Sequence, residues 1–370
     1  MSNVPVQKVL QDERLRDVPV LVRWLRRPEL GALAGLLTVT IFFVIVADAS
    51  MFSLAGVVNF LVPAAQLGIL AVAAAMLMIG GEFDLSIGSM VAFSGFVFGA
   101  CMVPLALPLG LSIFLTFLMA VAVGLANGMI VIRTGLPSFI VTLAGLFILR
   151  GLSLIGLKWA TDGQTQLRGV REAAEGAVLA PIFSGDAFGG LFIALAEAGY
   201  IETFRSGAPR VSGIPVEILW FLVLAIIATF VLLRTPFGNW IFAAGGDARA
   251  AADSGVPVAR VKIILFVITA CCATLVAIIT VIDAGSTDAR RGFQKEFEAI
   301  IAAVIGGTLL TGGYGSAIGA FIGAIIFGMV LIGLSFTNID QDWYLVFLGT
   351  MLLIAVLLNN AVRKRITGGA

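Results

Sequence analysis

Long apolar stretches, each about as long as a bilayer crossing requires and separated by short polar breaks, leave this sequence few folds. A backbone facing lipid has no water to bond, so a helix, or a closed barrel, must satisfy its N–H and C=O groups internally. Reading the apolar runs against glycine, proline and charge places ten spans at 30–47, 54–79, 87–107, 109–132, 138–157, 215–233, 262–283, 297–310, 316–336 and 343–362. The run 297–310 is short and reads as a half-helix. The expected fold is an all-α integral membrane protein of about ten transmembrane helices, with broken helices near a transport path. Composition agrees, because 12% charged residues is half of the roughly 25% an ordinary globular domain carries.

The same composition excludes several functions. A formal charge of +1 with no basic stripe gives nucleic acid nothing to bind. No histidine is present, which removes Ser-His catalysis and His-metal sites. Cys101, Cys271 and Cys272 fall inside apolar runs and read as small hydrophobes. No lysine follows a glycine, so the chain has no phosphate-binding Walker A loop and cannot hydrolyse ATP by that route.

Orientation is read from the short basic flanks, which stay cytoplasmic. Arg14, Arg16, Arg23, Arg26 and Arg27 precede the first span; Arg234, Arg249, Arg260 and Lys262 surround the loop after the sixth; Arg363, Lys364 and Arg365 end the chain. Ten spans put both termini inside, as these clusters require. Arg290, Arg291 and Lys295 dissent, since the count leaves them outside. The resulting division is a cytoplasmic segment 1–29, a membrane domain 30–362 and a cytoplasmic tail 363–370. The polar stretch 158–213, with an amphipathic piece Leu191 to Phe204, falls outside. It reads either as a lid or docking surface, or as a loop lying on the headgroups.

Three segments carry functional signal. The first, Gly80-Gly81-Glu82-Phe83-Asp84-Leu85-Ser86, interrupts two apolar runs with glycines and carboxylates, and Asp84 or Ser86 can cap the following helix. As a gate against the transport path, it would draw on Glu82, Asp84 and Ser86, with Asn59, Gln66 and Asn127 offering hydrogen bonds; the plainer reading is a capped cytoplasmic turn. The second lies in 235–262, where Asp247 is placed as an N-cap, alanines fill a short helix and Gly255 ends it. So short a helix needs something to pack on. Its small-residue face, with Gly246, Asp247, Arg249, Ala251, Ala252, Asp253 and Gly255, suits a groove on a cytoplasmic partner, or the chain's own membrane domain. The third holds Glu296 to Thr308 and then Gly315, Gly319 and Gly323, a spacing that permits close helix approach. Ile79-Gly80-Gly81 and Ile305-Gly306-Gly307 form an internal echo, with a Gly-Ser pair following each.

In this order and spacing the segments resemble the permease subunits of bacterial ABC importers for monosaccharides, the ribose and xylose type. The family's Gly-Gly-Ile-Asp-Leu-Ser-Val-Gly-Ser stands here as Gly81 to Ser89, its Thr-x-Phe-Gly and Ser-Gly-Ile elements as Thr235 to Gly238 and Ser254 to Val256, and its Ile-Gly-Gly-Thr run as Ile305 to Thr308. Pro137 to Leu143, Arg150-Gly151 and Gly213 to Pro215 also match. The resemblance implies a monosaccharide permease of the bacterial inner membrane that binds no cofactor itself, a partner ATPase using ATP and Mg, a periplasmic sugar-binding protein and a second permease subunit. Its coupling loop is 235–262 and its periplasmic loop 158–213. Glu82 departs from the pattern, where the family has glycine. Other readings are a permease for a branched-chain amino acid or polyol, or an ion-coupled transporter using Glu82, Asp84 and Asp283.

Overall fold

The computed structural model describes residues 28–366. The basic residues Arg14 to Arg27 and the segment 1–27 lie outside the described residues. Among the described residues fifteen α-helices run in the order α1 (Pro28–Val46), α2 (Leu54–Ile79), α3 (Ile87–Met102), α4 (Leu109–Thr134), α5 (Ser138–Ala160), α6 (Val170–Ala174), α7 (Ala180–Phe183), α8 (Gly189–Glu197), α9 (Val216–Arg234), α10 (Pro236–Gly246), α11 (Ala248–Asp253), α12 (Val258–Ala284), α13 (Lys295–Ile305), α14 (Ala317–Gly333) and α15 (Trp343–Ile366). Seven of the helical segments are long and apolar enough to cross a membrane, and Ile87–Met102 and Trp343–Ile354 are shorter apolar stretches. Helix α13, at 11 residues, is the half-length element that its short apolar run suggests.

The long helices divide by burial. Helix α2 and α12 are sheathed by the others, and α2 from Ala64 to Ile79 is buried almost without interruption, whereas α1, α4 and α5 leave broad apolar faces open. Exposed Leu37, Ile45, Phe147 and Ile155 belong to those faces. In water they would be unfavourable; against acyl chains they are matched. Close packing inside the bundle uses glycine. A Cβ on Gly319 would lie 1.9 Å from Gly306 O, and one on Gly323 would lie 2.1 Å from Ala302 O, so α14 and α13 touch backbone to backbone. The glycine spacing therefore has its packing meaning, although Gly315 precedes the helix. A Gly323→Leu chain is expected to lose about 1–3 kcal/mol of stability by overpacking, read as an earlier thermal midpoint in detergent by fluorescence-detected size exclusion.

The segment 158–213 is folded onto the bundle. Strand β1 (Gln166–Arg168) pairs antiparallel with β4 (Ser286–Asp288), and β2 (Asp186–Ala187) with β3 (Ile214–Pro215). Leu167, Val170 and Ala174 join Phe98, Met102, Ile278 and Val281 in one apolar cluster. Helix α8 (Gly189–Glu197) covers only the first half of the amphipathic stretch Leu191 to Phe204, and Gly199 at positive φ follows its end.

The dissenting basic residues find their explanation in the path after β4. The chain turns back alongside α3, and its residues meet that helix in antiparallel order: Thr287 lies against Gly99, Thr287 and Arg291 against Gly95, Gly292 and Glu296 against Gly88. Arg291 donates to Thr280 O at 3.1 Å and Ser286 O at 2.8 Å, and Lys295 pairs with Glu298. Two of the three, Arg291 and Lys295, are thus partnered within the fold and are not free loop charges; Arg290 stays exposed.

Candidate functional site

The two glycine echoes end their helices with the same hydrogen bonds. At the end of α2, Gly81 (φ +83) donates to Met78 O and Glu82 N–H to Leu77 O; at the end of α13, Gly307 (φ +88) donates to Val304 O and Thr308 N–H to Ala303 O. This is a Schellman ending, in which a left-handed residue lets two amides reach back to carbonyls the helix leaves unpaired. The two ends also lie beside each other. Gly313 N–H donates to Ile79 O at 2.8 Å, and Gly245 of α10 rests on that bond. A Cβ at Gly245 would lie 1.8 Å from Ile79 O, and one at Gly312 would lie 2.9 Å from Gly81 Cα. Three chain segments distant in sequence therefore meet with no side chain between them.

Beyond this junction the non-helical residues 82–86 pass beside the first turns of α5. Ser138 Oγ accepts from Phe83 N–H at 3.0 Å and Thr142 Oγ1 from Leu85 N–H at 2.9 Å, so hydroxyls replace the helical partners that the break removes. Asp84 Oδ1 accepts from Ser86 N–H at 2.8 Å and from its hydroxyl at 2.5 Å, and Asn127 donates to Ser86 Oγ at 3.1 Å. Asp84, Ser86 and Asn127 thus form one buried chain of hydrogen bonds. Ser86 occupies the N-cap position of α3 without a side-chain cap bond; the side chain's work is to hold Asp84 and Asn127.

Asn59 and Gln66 do not join that group. Asn59 stands twenty positions before Ile79 on α2, about 30 Å away at 1.5 Å per residue. It lines a cavity of about 130 Å³ with Asp186, Arg210 and Ser212 at the end of the bundle that carries 158–213. Gln66 is hydrogen-bonded to the buried Glu217, whose charge acts on Asp283. Glu217 carries no local sequence signal, since a carboxylate opening an apolar helix also serves the helix dipole.

The segment 235–262 holds two helices where one is expected. Thr235 caps α10 by accepting from Gly238 N–H at 3.2 Å, with Pro236 in the first turn, a start signal readable in the sequence. Asp247 then caps α11 through Arg249 and Ala250 N–H, and Gly255 (φ +88) closes it, with Val256 N–H reaching Ala251 O at 3.0 Å. Two residues of the expected docking face are placed otherwise. Ala251 is turned inward, 6% exposed, and Gly246 is an ordinary helical residue with open space where a Cβ would go. Arg249, Ala252 and Asp253 are exposed. At the far end of the segment Lys262 forms an ion pair with Glu82, both largely buried, which ties the two helices to the break. Among the described residues no three His, Cys, Asp or Glu side chains are grouped to hold a metal ion.

Comparison with known proteins places these features in a family. A family model described as "Branched-chain amino acid transport system / permease component" matches residues 56–356. The xylose transport system permease protein XylH of Escherichia coli (strain K12) is 32% identical over 372 residues, covering 90% of this chain and 92% of that protein. The ribose import permease protein RbsC of Haemophilus influenzae is 29% identical over 324 residues, covering 88% and 91%. No solved structure matches the chain.

Proposed function

Because this chain belongs to the branched-chain amino acid transport system / permease component family, we propose that it is the membrane-spanning subunit of an ATP-driven importer for a monosaccharide, a pentose or hexose, in the bacterial inner membrane. The observation that carries the sugar assignment is likeness to xylose and ribose permeases along nine-tenths of the chain. In this reading the chain crosses the membrane ten times, counting α3, α13 and α15, with both termini cytoplasmic and 158–213 periplasmic beneath a sugar-binding protein. Two copies pair, and each docks an ATPase, which uses the ATP and Mg, on the exposed side of α10 and α11. The glycine junction then connects that docking surface to both breaks.

The geometry argues against an ion-coupled carrier. Glu82 is engaged by Lys262 and Asp84 by Ser86, whereas a coupling carboxylate must be free to take up and release its ion. The test is uptake of labelled xylose and ribose by proteoliposomes carrying the chain with its ATPase and binding protein. Accumulation is expected only with ATP inside the ATPase compartment; accumulation driven by a proton or sodium gradient by this chain alone overturns the proposal. Ala252→Trp, on the exposed side of α11, is expected to reduce co-purification of the ATPase at least about tenfold, the loss of roughly 1.4 kcal/mol at a contact. Full recovery of the ATPase with Ala252→Trp shows that α11 is not the docking element.

A further inference from the structure

The segment that turns back along α3 carries an anomaly. Thr287 Oγ1, Arg291 Nε and Glu296 Oε2 are buried with no hydrogen-bond partner, all within one short stretch. Thr287 is 0% exposed and Glu296 4%. A buried polar atom left unpaired is destabilising, and folded proteins keep few of them. Two are aimed at the same helix face. A Cβ on Gly95 would lie 2.8 Å from Thr287 Oγ1, and one on Gly88 would lie 2.0 Å from Glu296 Oε2. Gly88, Gly95 and Gly99 stand seven and four positions apart, on one side of α3. The seam is therefore glycine on one wall and unsatisfied polar groups on the other.

We propose that this seam is the intramembrane binding site for the hydroxyls of the transported solute, with Thr287 and Glu296 as its hydrogen-bonding groups; the proposal rests on the sugar-importer reading. A sugar hydroxyl both donates and accepts. Thr287 does the same, the Glu296 carboxylate accepts, and Arg291 Nε donates, so vicinal hydroxyls find complementary partners there. Glu296 and Arg291 oppose each other in sign, and Arg150 lies within electrostatic range of Glu296. The site thus offers no single charge to attract an ion and suits a neutral polyhydroxyl molecule. A glycine wall lets the segment part from α3 without exposing bulky side chains. The segment continues into α13, and Gly312 and Gly313 in the loop after that helix meet Gly245 at the junction. Opening of the seam is in this way linked to the docking helices through α13 and the loop that follows it.

Substitutions at Thr287 separate this role from a packing role. The methyl group packs toward Gly99, so Thr287→Val keeps the shape and removes an unsatisfied hydroxyl, which packing alone makes neutral or favourable. Thr287→Ser keeps the hydroxyl and loses the methyl. Packing therefore ranks valine above serine, and solute binding ranks serine above valine. The experiment measures uptake of labelled xylose and ribose by the complete importer in proteoliposomes, at equal protein and ATPase content. Uptake by Thr287→Val is expected to fall about tenfold or more, the effect of one hydrogen bond to the solute, while Thr287→Ser stays within about threefold of wild type and Glu296→Gln falls with the valine variant. Wild-type uptake by Thr287→Val, or serine falling as low as valine, overturns the site. Failure of the wild-type importer to take up either sugar with ATP overturns the importer reading and this site with it.

Discussion

An alanine at Gly245 is expected to cut solute uptake about a hundredfold, while an alanine at the adjacent Gly246 leaves it near the wild-type rate. Both residues end α10, and nothing in their order distinguishes them. Their surroundings do. The methyl group at Gly245 would overlap Ile79 O at 1.8 Å and approach Gly313 N at 2.8 Å, whereas none of the neighbouring atoms lies within 4 Å of one at Gly246. The overlapping atoms are backbone, so no rotamer change relieves the clash. The three segments must separate, and overpacking of this kind costs about 1–3 kcal/mol, with about 3 kcal/mol corresponding to a hundredfold in an equilibrium. The exposed sides of α10 and α11 are untouched, so the ATPase is expected to co-purify with both variants. Paired measurements of uptake and ATPase recovery check this. Equal uptake by the two alanine variants shows that the junction does not transmit movement, and loss of ATPase binding by Gly245→Ala alone shows that it is part of the docking surface itself.

What sequence disclosed about this arrangement depended on how local each signal is. Apolar length located the long helices, because the bilayer imposes it segment by segment. Cap chemistry was equally local: Asp247 and Gly255 bound α11 as their types suggest. The repeated Ile-Gly-Gly hinted at related breaks, and the identical terminal hydrogen bonds give that echo a geometric meaning. Local reading failed where a residue's role depends on a distant partner. Helix periodicity says that Asn59 and Gln66 lie on α2, yet only the packing of 158–213 and α9 shows that they belong to the end far from the break. Charge counting saw Arg291 and Lys295 only as dissenting charges, and their partners in the fold escaped it, since nothing nearby in sequence signals a chain that pairs as β4 and then turns back along α3. Ala251 was left between two readings for a related reason: alanine suits a buried contact within the chain as well as an exposed one with a partner, and α11 is too short to stand free.

Glu82 shows the same dependence on distance, and its partner Lys262 yields the second large effect. The pair spans 180 positions of sequence and closes the docking segment onto the break at its far end, as the Gly245 contact does at its near end. The two side chains are only 11% and 14% exposed, glutamate and lysine respectively. Removing one partner of a buried pair costs about 3–5 kcal/mol, largely by leaving the other charge unpaired, whereas removing both is often neutral. Some access to water lowers that figure here, so Lys262→Met is expected to destabilise the protein by about 2 kcal/mol or more, and Glu82→Gln by a similar amount. The double variant Glu82→Gln with Lys262→Met is expected to recover most of the loss, because no uncompensated charge remains. Uptake is expected to stay low in the double variant, since the tether between docking segment and break is gone whatever the stability. Thermal unfolding in detergent for the four members of this cycle gives the coupling energy, and uptake by the same four separates stability from transmission. Additive losses in the two single variants would show that the residues do not act as a pair, and full uptake by the double variant would show that the glycine junction alone carries the connection.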